Sequence, residues 1–318
     1  MHTIQLTEHE AGQRLDRYLR KLLPTVPLGA IFKHLRTGAI RVDGKKAKPD
    51  LRLLAGMSVV LRLPEVDLAL AGAGPGSAPE PGASPRPPAP PRAGRGPEPR
   101  VVFEDADLLV VDKPAGLAAQ PGSGQQDDLV AWLQRTGRGV RTATFQPAPA
   151  HRLDRGTSGL VAIGLSPLGL RALTAAFRDD AVEKVYFAVV HGVPEPRRGS
   201  IDAPLLVQEG PDASHQKAVV ADDGKPARTD YEVLQVIGDR ALLRLVPLTG
   251  RLHQIRAHLA HVGHPIVGDR RYGAPSDLGR GVFLLHAAEL ELPLPKNGAR
   301  RRFLVPPPAL FGRHLRGG

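Results

Sequence analysis

Chemistry in this 318-residue chain concentrates in two short segments. The first is Ala150-His151-Arg152-Leu153-Asp154-Arg155-Gly156-Thr157-Ser158-Gly159-Leu160. It sets one carboxylate between two arginines and beside a histidine. The apolar run Val161 to Leu165 follows at once, so the acid sits in a loop, loosened by Gly156 and Gly159, that feeds a strand. A single well-placed carboxylate can act as nucleophile or general base, provided it is ionised. An arginine partner in a dry pocket favours that form. Taken alone, Arg-Leu-Asp-Arg describes a structural salt bridge equally well. The second segment is Thr249-Gly250-Arg251-Leu252-His253-Gln254-Ile255-Arg256-Ala257-His258-Leu259, continuing to His264-Pro265-Ile266-Val267-Gly268-Asp269. Leu252, Ile255, Leu259 and Val262 fall on one helical stripe with Arg256 at its edge. A guanidinium buried there needs a carboxylate. His253, His258, His261 and His264 invite a metal reading. Their spacing matches no zinc pattern, no cysteine or local carboxylate closes the site, and the helical phase scatters them over the polar side. Structural or phosphate-facing histidines are expected instead, and no metal.

The elements that must position these residues follow from periodicity. Glu183 to Gly192 alternates as a strand, with Tyr186 pointing the same way as Lys184 and Ala188. Residues 228–237 and 240–248 read as two strands around Gly238-Asp239, and Leu284 to Leu294 as another. Val101 to Glu104 and Leu108 to Val111 are strand-like around Asp105-Ala106-Asp107. Two helices are expected, Asp128 to Arg135 and Pro167 to Arg178, the latter with Pro167 in its first turn. Long strands with few helices indicate an α+β domain around a large, mainly antiparallel sheet. Earlier in the chain, Leu15, Leu19 and Leu22 recur at helical spacing among Arg14, Arg17, Arg20 and Lys21. Ile31 and Leu35 begin a second stripe beside Lys33, His34 and Arg36. Ala39 to Lys45 reads as a strand entering an Asp43-Gly44 turn, and Leu53 to Leu63 supplies more strand-like residues. Between these regions lies a different material: ten of the 32 prolines fall between Pro75 and Pro99. That segment has too little apolar surface to offset its ordering entropy, so residues 66–99 are expected to be a flexible linker. The expected division is therefore 1–65, 66–99 and 100–318.

A net charge of +11 favours a polyanionic partner. The absence of cysteine excludes disulfides, cysteine nucleophiles and thiolate metal sites. With no apolar signal segment and no membrane-spanning run, a cytoplasmic protein is expected, with no membrane partner. One tryptophan and 4% aromatic residues offer no platform for stacking many bases, so contact with a nucleic acid would be electrostatic and shape-based.

The pattern H-R-L-D-R-x-T-S-G-L at residues 151–160 resembles the signature of the RluA-like pseudouridine synthases of large-subunit ribosomal RNA. Asp112-Lys113-Pro114-Ala115-Gly116-Leu117, Lys184-Val185-Tyr186 and Gly250-Arg251-Leu252-His253-Gln254-Ile255-Arg256 resemble further motifs of that family, in family order. Gln120 departs from it, standing where many relatives carry a histidine. Residues 14–19 and 38–45 resemble the alpha-L RNA-binding domain attached to many such enzymes. The resemblance implies a pseudouridine synthase catalytic fold with a large, mainly antiparallel mixed sheet, preceded by a small α/β RNA-binding domain. It implies a cofactor-free isomerase acting on structured RNA, most simply large-subunit rRNA, as a monomer with no obligate protein partner. It implies that Asp154 is the essential catalytic residue, acting at the sugar as nucleophile or as base, with Arg256 as its salt-bridge partner. Tyr186 would stack on a flipped base or assist proton removal. Leu285, rather than Leu284, would pack on that base. Arg152 would enter the space the nucleotide vacates, and Arg155 would contact RNA. Arg251 would contact RNA or order its loop. Arg14, Arg17, Lys33, Arg36 and Arg41 would bind RNA from the N-terminal domain. The same reaction on tRNA, a catalytically silent RNA-binding assembly protein, and a histidine-based metal hydrolase are the competing readings.

Overall fold

The computed structural model describes residues 1–63, 97–120, 128–210, 216–275, 278–279 and 281–315. The linker expected over 66–99 thus lies almost wholly outside the described residues. These residues form two compact units, one containing residues 1–63 and the other most of residues 97–315. No described helix is long and apolar enough to cross a membrane.

The first unit runs β1 (His2–Gln5), α1 (Leu15–Leu22), α2 (Leu28–Thr37), β2 (Ile40–Val42) and β3 (Ser58–Leu61). The strands pair antiparallel in the order β1-β3-β2. The expected stripe holds: Leu15, Leu19, Ile31 and Leu35 are buried, and Tyr18 joins them. Gly38 ends α2 at φ 82°, the left-handed geometry glycine adopts without a Cβ clash. The Asp43-Gly44 turn has positive φ at both residues, 48° and 74°, as a two-residue turn requires. One expectation needs correction: only Ser58–Leu61 of the 53–63 run is a strand. β1, with too little apolar pattern to be legible, was not expected.

The second unit begins with the antiparallel pair β4 (Arg100–Glu104) and β5 (Leu108–Lys113). Then come α3 (Leu129–Thr136), β6 (Ala148–Pro149), β7 (Ser158–Gly164), α4 (Pro167–Arg178), β8 (Glu183–His191), β9 (Arg198–Asp202), β10 (Leu205–Gln208) and β11 (Lys217–Val220). The chain continues through β12 (Arg228–Ile237), β13 (Arg240–Pro247), α5 (Gln254–His261), β14 (Leu285–Pro293), β15 (Arg300–Leu304) and α6 (Ala309–His314). The main sheet has the order β4-β5-β7-β14-β8-β13-β12-β9, with β15 on β14 and β6 on β7. Among the described strands only β7 and β14 pair parallel, so the sheet is mixed and mainly antiparallel. β10 and β11 pair separately.

Every residue of β7 is buried, because both faces of this part of the sheet are covered. Leu108, Val110, Leu160 and Ala162 pack with Leu173 of α4. Leu109, Val111, Val161 and Ile163 pack with Leu129, Trp132 and Leu133 of α3. The loop of residues 150–157 therefore enters the middle of the sheet. Its neighbours there are β14, with His286 opposite Ser158, and beyond it β8, with Tyr186 opposite Ala287. Gly156 and Gly159 do not loosen this loop, as the sequence suggested. A Cβ on Gly156 would lie 2.3 Å from the Gly281 carbonyl oxygen, and one on Gly159, at φ 115°, would lie 2.2 Å from the Ala287 carbonyl oxygen. They are glycine because the backbones touch.

Candidate active site

Asp154, Tyr186, Arg256, Arg152, Arg251 and Leu285 line one cavity of about 370 Å³. That is within the roughly 300–1,000 Å³ of small-molecule sites. Each wall comes from a different element. The loop before β7 brings Asp154, β8 brings Lys184 and Tyr186, β14 brings Leu285, and residues 249–256 supply the remaining side.

The charged floor is a cation shared by two carboxylates. Arg256 Nη1 donates to Asp154 Oδ2 at 2.8 Å, while Nε and Nη2 donate to Asp269 Oδ2 and Oδ1 at 2.7 and 2.9 Å. The guanidinium centre also lies 4.4 Å from the Phe283 ring centroid and 4.8 Å from that of Tyr272. Such a sandwich suits a planar, delocalised cation. Burial acts to lower the Arg256 pKa, but Asp269 and Asp154 outweigh it and raise it. The cation is therefore permanent, and bidentate Asp269 fixes it before any ligand arrives. Asp269 was not singled out from the sequence. Its only signal was that one buried arginine with two free edges can hold a second acid.

Tyr186 reaches the cavity from β8. Burial and the Asp154 charge both raise its pKa, so its hydroxyl keeps its proton. Leu285 lines the cavity and Leu284 does not. Arg152 is exposed at the rim. Arg155 is also exposed but turns elsewhere: its Nε donates to the Gly116 carbonyl at 2.9 Å. Arg251 orders its loop, with Nε on the Pro226 carbonyl at 3.0 Å, and still lines the cavity. In the N-terminal unit, Arg17, Lys33 and Arg36 are exposed. Arg14 is paired with Asp16 at 2.7 Å, and Arg41 clasps the carbonyls of Gly38 and Gly44, both at 3.1 Å.

The single-stripe reading of the helix is corrected. Residues 254–259 of α5 are all buried, whereas Val262 is 41% exposed. The helix packs against β11, β12 and β13, so it has no open face there. Its polar residues are satisfied inside the fold. Gln254 Oε1 accepts from the Thr249 hydroxyl and the Arg251 amide at 2.6 and 3.0 Å, and its Nε2 donates to the Arg228 carbonyl and Thr229 Oγ1 at 2.9 and 3.0 Å. Gln254 thus clamps the loop that carries Arg251 and His253, a role the sequence did not reveal. His258, expected on the polar side, is fully buried between Thr229 Oγ1 and the Ala203 carbonyl, at 2.9 and 3.0 Å. His253 lines the cavity, its Nε2 3.8 Å from Asp154 Oδ1. Among the described residues no group of three or more His, Cys, Asp or Glu side chains could hold a metal ion.

Two residues behind the loop hold it in place. Lys113 is fully buried, and its Nζ reaches the carbonyls of Leu117, Pro114 and Arg155 at 2.8, 3.1 and 3.4 Å. Burial pushes its pKa down to about 7, against the pull of Asp154 and Asp112. Three acceptors match the three hydrogens of an ammonium, so Lys113 ties the 113–117 turn to the Asp154 loop. His151 stacks on Phe177 at 4.2 Å and accepts the Ala162 amide at 3.0 Å through Nε2. Burial, with Lys184 nearby, lowers it to about 3, in keeping with that acceptor role.

Residues 107–261 match the RNA pseudouridylate synthase family. The chain is 32% identical to ribosomal large subunit pseudouridine synthase C of Vibrio cholerae, over 95% of this chain and 92% of that protein. It is 34% identical to the protein of that name from Escherichia coli K12, with the same coverage of both. Among solved structures it is similar to human RNA pseudouridylate synthase domain containing 4, at 27% identity and a TM-score of 0.55, over 68% of this chain and 91% of that one. Human RNA pseudouridylate synthase domain containing 1 gives 25% and 0.52, over 70% and 96%. Motifs, sheet and likeness over nearly the whole length agree: the chain belongs to the RNA pseudouridine synthase family.

Proposed function

We propose that this protein isomerises specific uridines of large-subunit rRNA to pseudouridine in the cytoplasm, with Asp154 acting on the ribose. One observation carries the assignment of Asp154. It is the carboxylate held by a pre-fixed arginine in a cavity that also presents a tyrosine and a leucine. The reaction breaks the bond from ribose C1′ to uracil N1, turns the detached base and joins C5 to C1′; C5 then loses its proton and N1 gains one, so the product is an isomer. No redox step is involved. Asp154 Oδ2 is anchored on Arg256, while Oδ1 faces the cavity wall at His253. That leaves one oxygen to attack C1′ or to take the C2′ proton. Tyr186 and Leu285 are placed to receive a base turned out of its stack. Extrusion costs a few kcal/mol and least in irregular RNA. Phosphate contacts offset it, and the exposed Arg152 at the rim with Arg17, Lys33 and Arg36 of the N-terminal unit are the residues we assign to them. We assign residues 1–65 to affinity for RNA and residues 100–318 to catalysis.

The test is Asp154→Asn, introduced into a strain lacking the native gene, with pseudouridines mapped in rRNA and tRNA. The expected result is loss of specific rRNA sites, retained RNA binding, and a fall in rate of at least about 10³-fold, in the range of acid–base groups. Restoration of those sites by the variant would overturn the role of Asp154. Loss of tRNA sites alone would overturn the substrate.

A further inference from the structure

His253 stands at φ 50°, a left-handed conformation uncommon for residues other than glycine, although histidine is among those enriched in it. It immediately precedes α5 and directs its ring into the cavity. The surrounding hydrogen bonds fix the tautomer. Tyr272 Oη donates its one proton to the Ala218 carbonyl at 2.9 Å and accepts the Ala218 amide at 3.0 Å. Burial pushes the Tyr272 hydroxyl up to about 12, so that proton stays. With that proton on the Ala218 carbonyl, the lone pair left over lies 3.1 Å from His253 Nδ1, which makes Nδ1 the N–H donor. Nε2 is then a bare acceptor. Burial keeps the ring neutral by pushing its pKa down to about 4; the Asp154 charge opposes this without overcoming it. Two acceptors, Nε2 and Asp154 Oδ1, consequently face one another at 3.8 Å, with no hydrogen between them. A site of that kind is complete only when a ligand brings a donor.

A uridine inside an RNA chain has two donors. O3′ and O5′ are esterified, leaving the ribose 2′-hydroxyl and the N3–H of the base. N3–H lies on the far side of the ring from the sugar, whereas the 2′-hydroxyl is attached beside C1′, where Asp154 acts. We propose that His253 is a specificity-determining residue whose Nε2 accepts the hydrogen bond of the target uridine's 2′-hydroxyl, seating the ribose against Asp154 and selecting RNA over DNA. The proposal rests on the reading that Asp154 works at the sugar. The 2′-hydroxyl is the group by which a protein tells RNA from DNA at a given nucleotide.

The experiment is a binding cycle in the full-length protein carrying Asp154→Ala, which stops turnover and leaves Arg256 paired with Asp269. Two rRNA fragments differ only in a ribose or 2′-deoxyribose at the target uridine. The protein with His253 intact should bind the ribose form about fivefold to tenfold more tightly, the effect of an ordinary hydrogen bond. His253→Phe keeps the ring against Tyr272 without an acceptor, and His253→Gly accepts the positive φ without strain. Both should bind the two fragments equally. If either folded variant discriminates as well as its parent, or if the parent does not discriminate, the inference is overturned. The Asp154 reading is decided separately by the activity of Asp154→Asn in the otherwise unmodified protein.

Discussion

In the loop around Asp154 the arginines face outward; in the helix around Arg256 the arginine faces inward. Both segments are rich in charge, and the difference lies in what surrounds the backbone. The loop enters a strand buried on both faces, through glycines whose hydrogens touch the carbonyls of residues 281 and 287. Arg152 and Arg155 are exposed and Asp154 pairs with Arg256 instead, although they are its nearest cations in sequence. Residues 254–259 have the opposite problem, since they are buried all round. A cation there survives only with carboxylates from other elements, and it finds two, 102 residues upstream and 13 downstream. Proximity in the chain therefore sets the chemistry of the loop less than the sheet order does.

Arg256→Met breaks this comparison most severely. It leaves Asp269 buried and Asp154 half-buried without their cation, and losing one partner of a buried pair costs about 3–5 kcal/mol. For a domain of this size a melting point lower by roughly 10 °C is expected, together with loss of activity. Arg256→Lys should recover part of the stability but little of the activity, because an ammonium lacks the fork that spans two carboxylates. A melting point unchanged in Arg256→Met would show that the buried ion pairs do not hold the fold together. Asp269→Asn is gentler. Arg256 stays paired with Asp154, and one carboxylate oxygen is replaced by an amide, so a cost of about 1–3 kcal/mol is expected. Turnover should fall while RNA affinity is unchanged, since Asp269 orients Arg256 and does not face the cavity. Equal losses in both quantities would place Asp269 in RNA binding instead.

The contrast also marks how far the sequence could be read. Periodicity fixed elements whose residues alternate or wrap regularly. Glu183–His191, Arg228–Ile237 and Pro167–Arg178 lie where the pattern puts them. It failed where its premise failed. A helical stripe presumes an open polar face, and α5 lacks one from 254 to 259, so His258 and Val262 were placed the wrong way round. Asp154 was visible because its motif is local. Its link to Arg256 came from family resemblance, and Asp269 escaped because it lies 13 residues on, beyond the end of the helix, where no periodicity relates the two. The aim of the His253 ring depends on one backbone angle and on Tyr272, neither of which is written in the local sequence.

The smallest effects separate the two arginines that the motif makes look alike. Arg152 is exposed at the cavity rim, whereas Arg155 is exposed but bonded to the Gly116 carbonyl. If the loop's outward charges serve RNA, Arg152→Ala should weaken binding and reduce the slope of log K against log salt by about 1, the signature of one lost phosphate contact. Its melting point should not move. Arg155→Ala should do the reverse: a small loss of stability, on the order of 0.5 kcal/mol for an exposed hydrogen bond, with the salt slope unchanged. Salt titrations of binding and thermal melts of both variants decide this. A reduced slope in Arg155→Ala would show that the Gly116 contact opens when RNA arrives and that both flanks of Asp154 face the phosphates. An unchanged slope in Arg152→Ala would mean that its guanidinium acts inside the duplex rather than on its backbone.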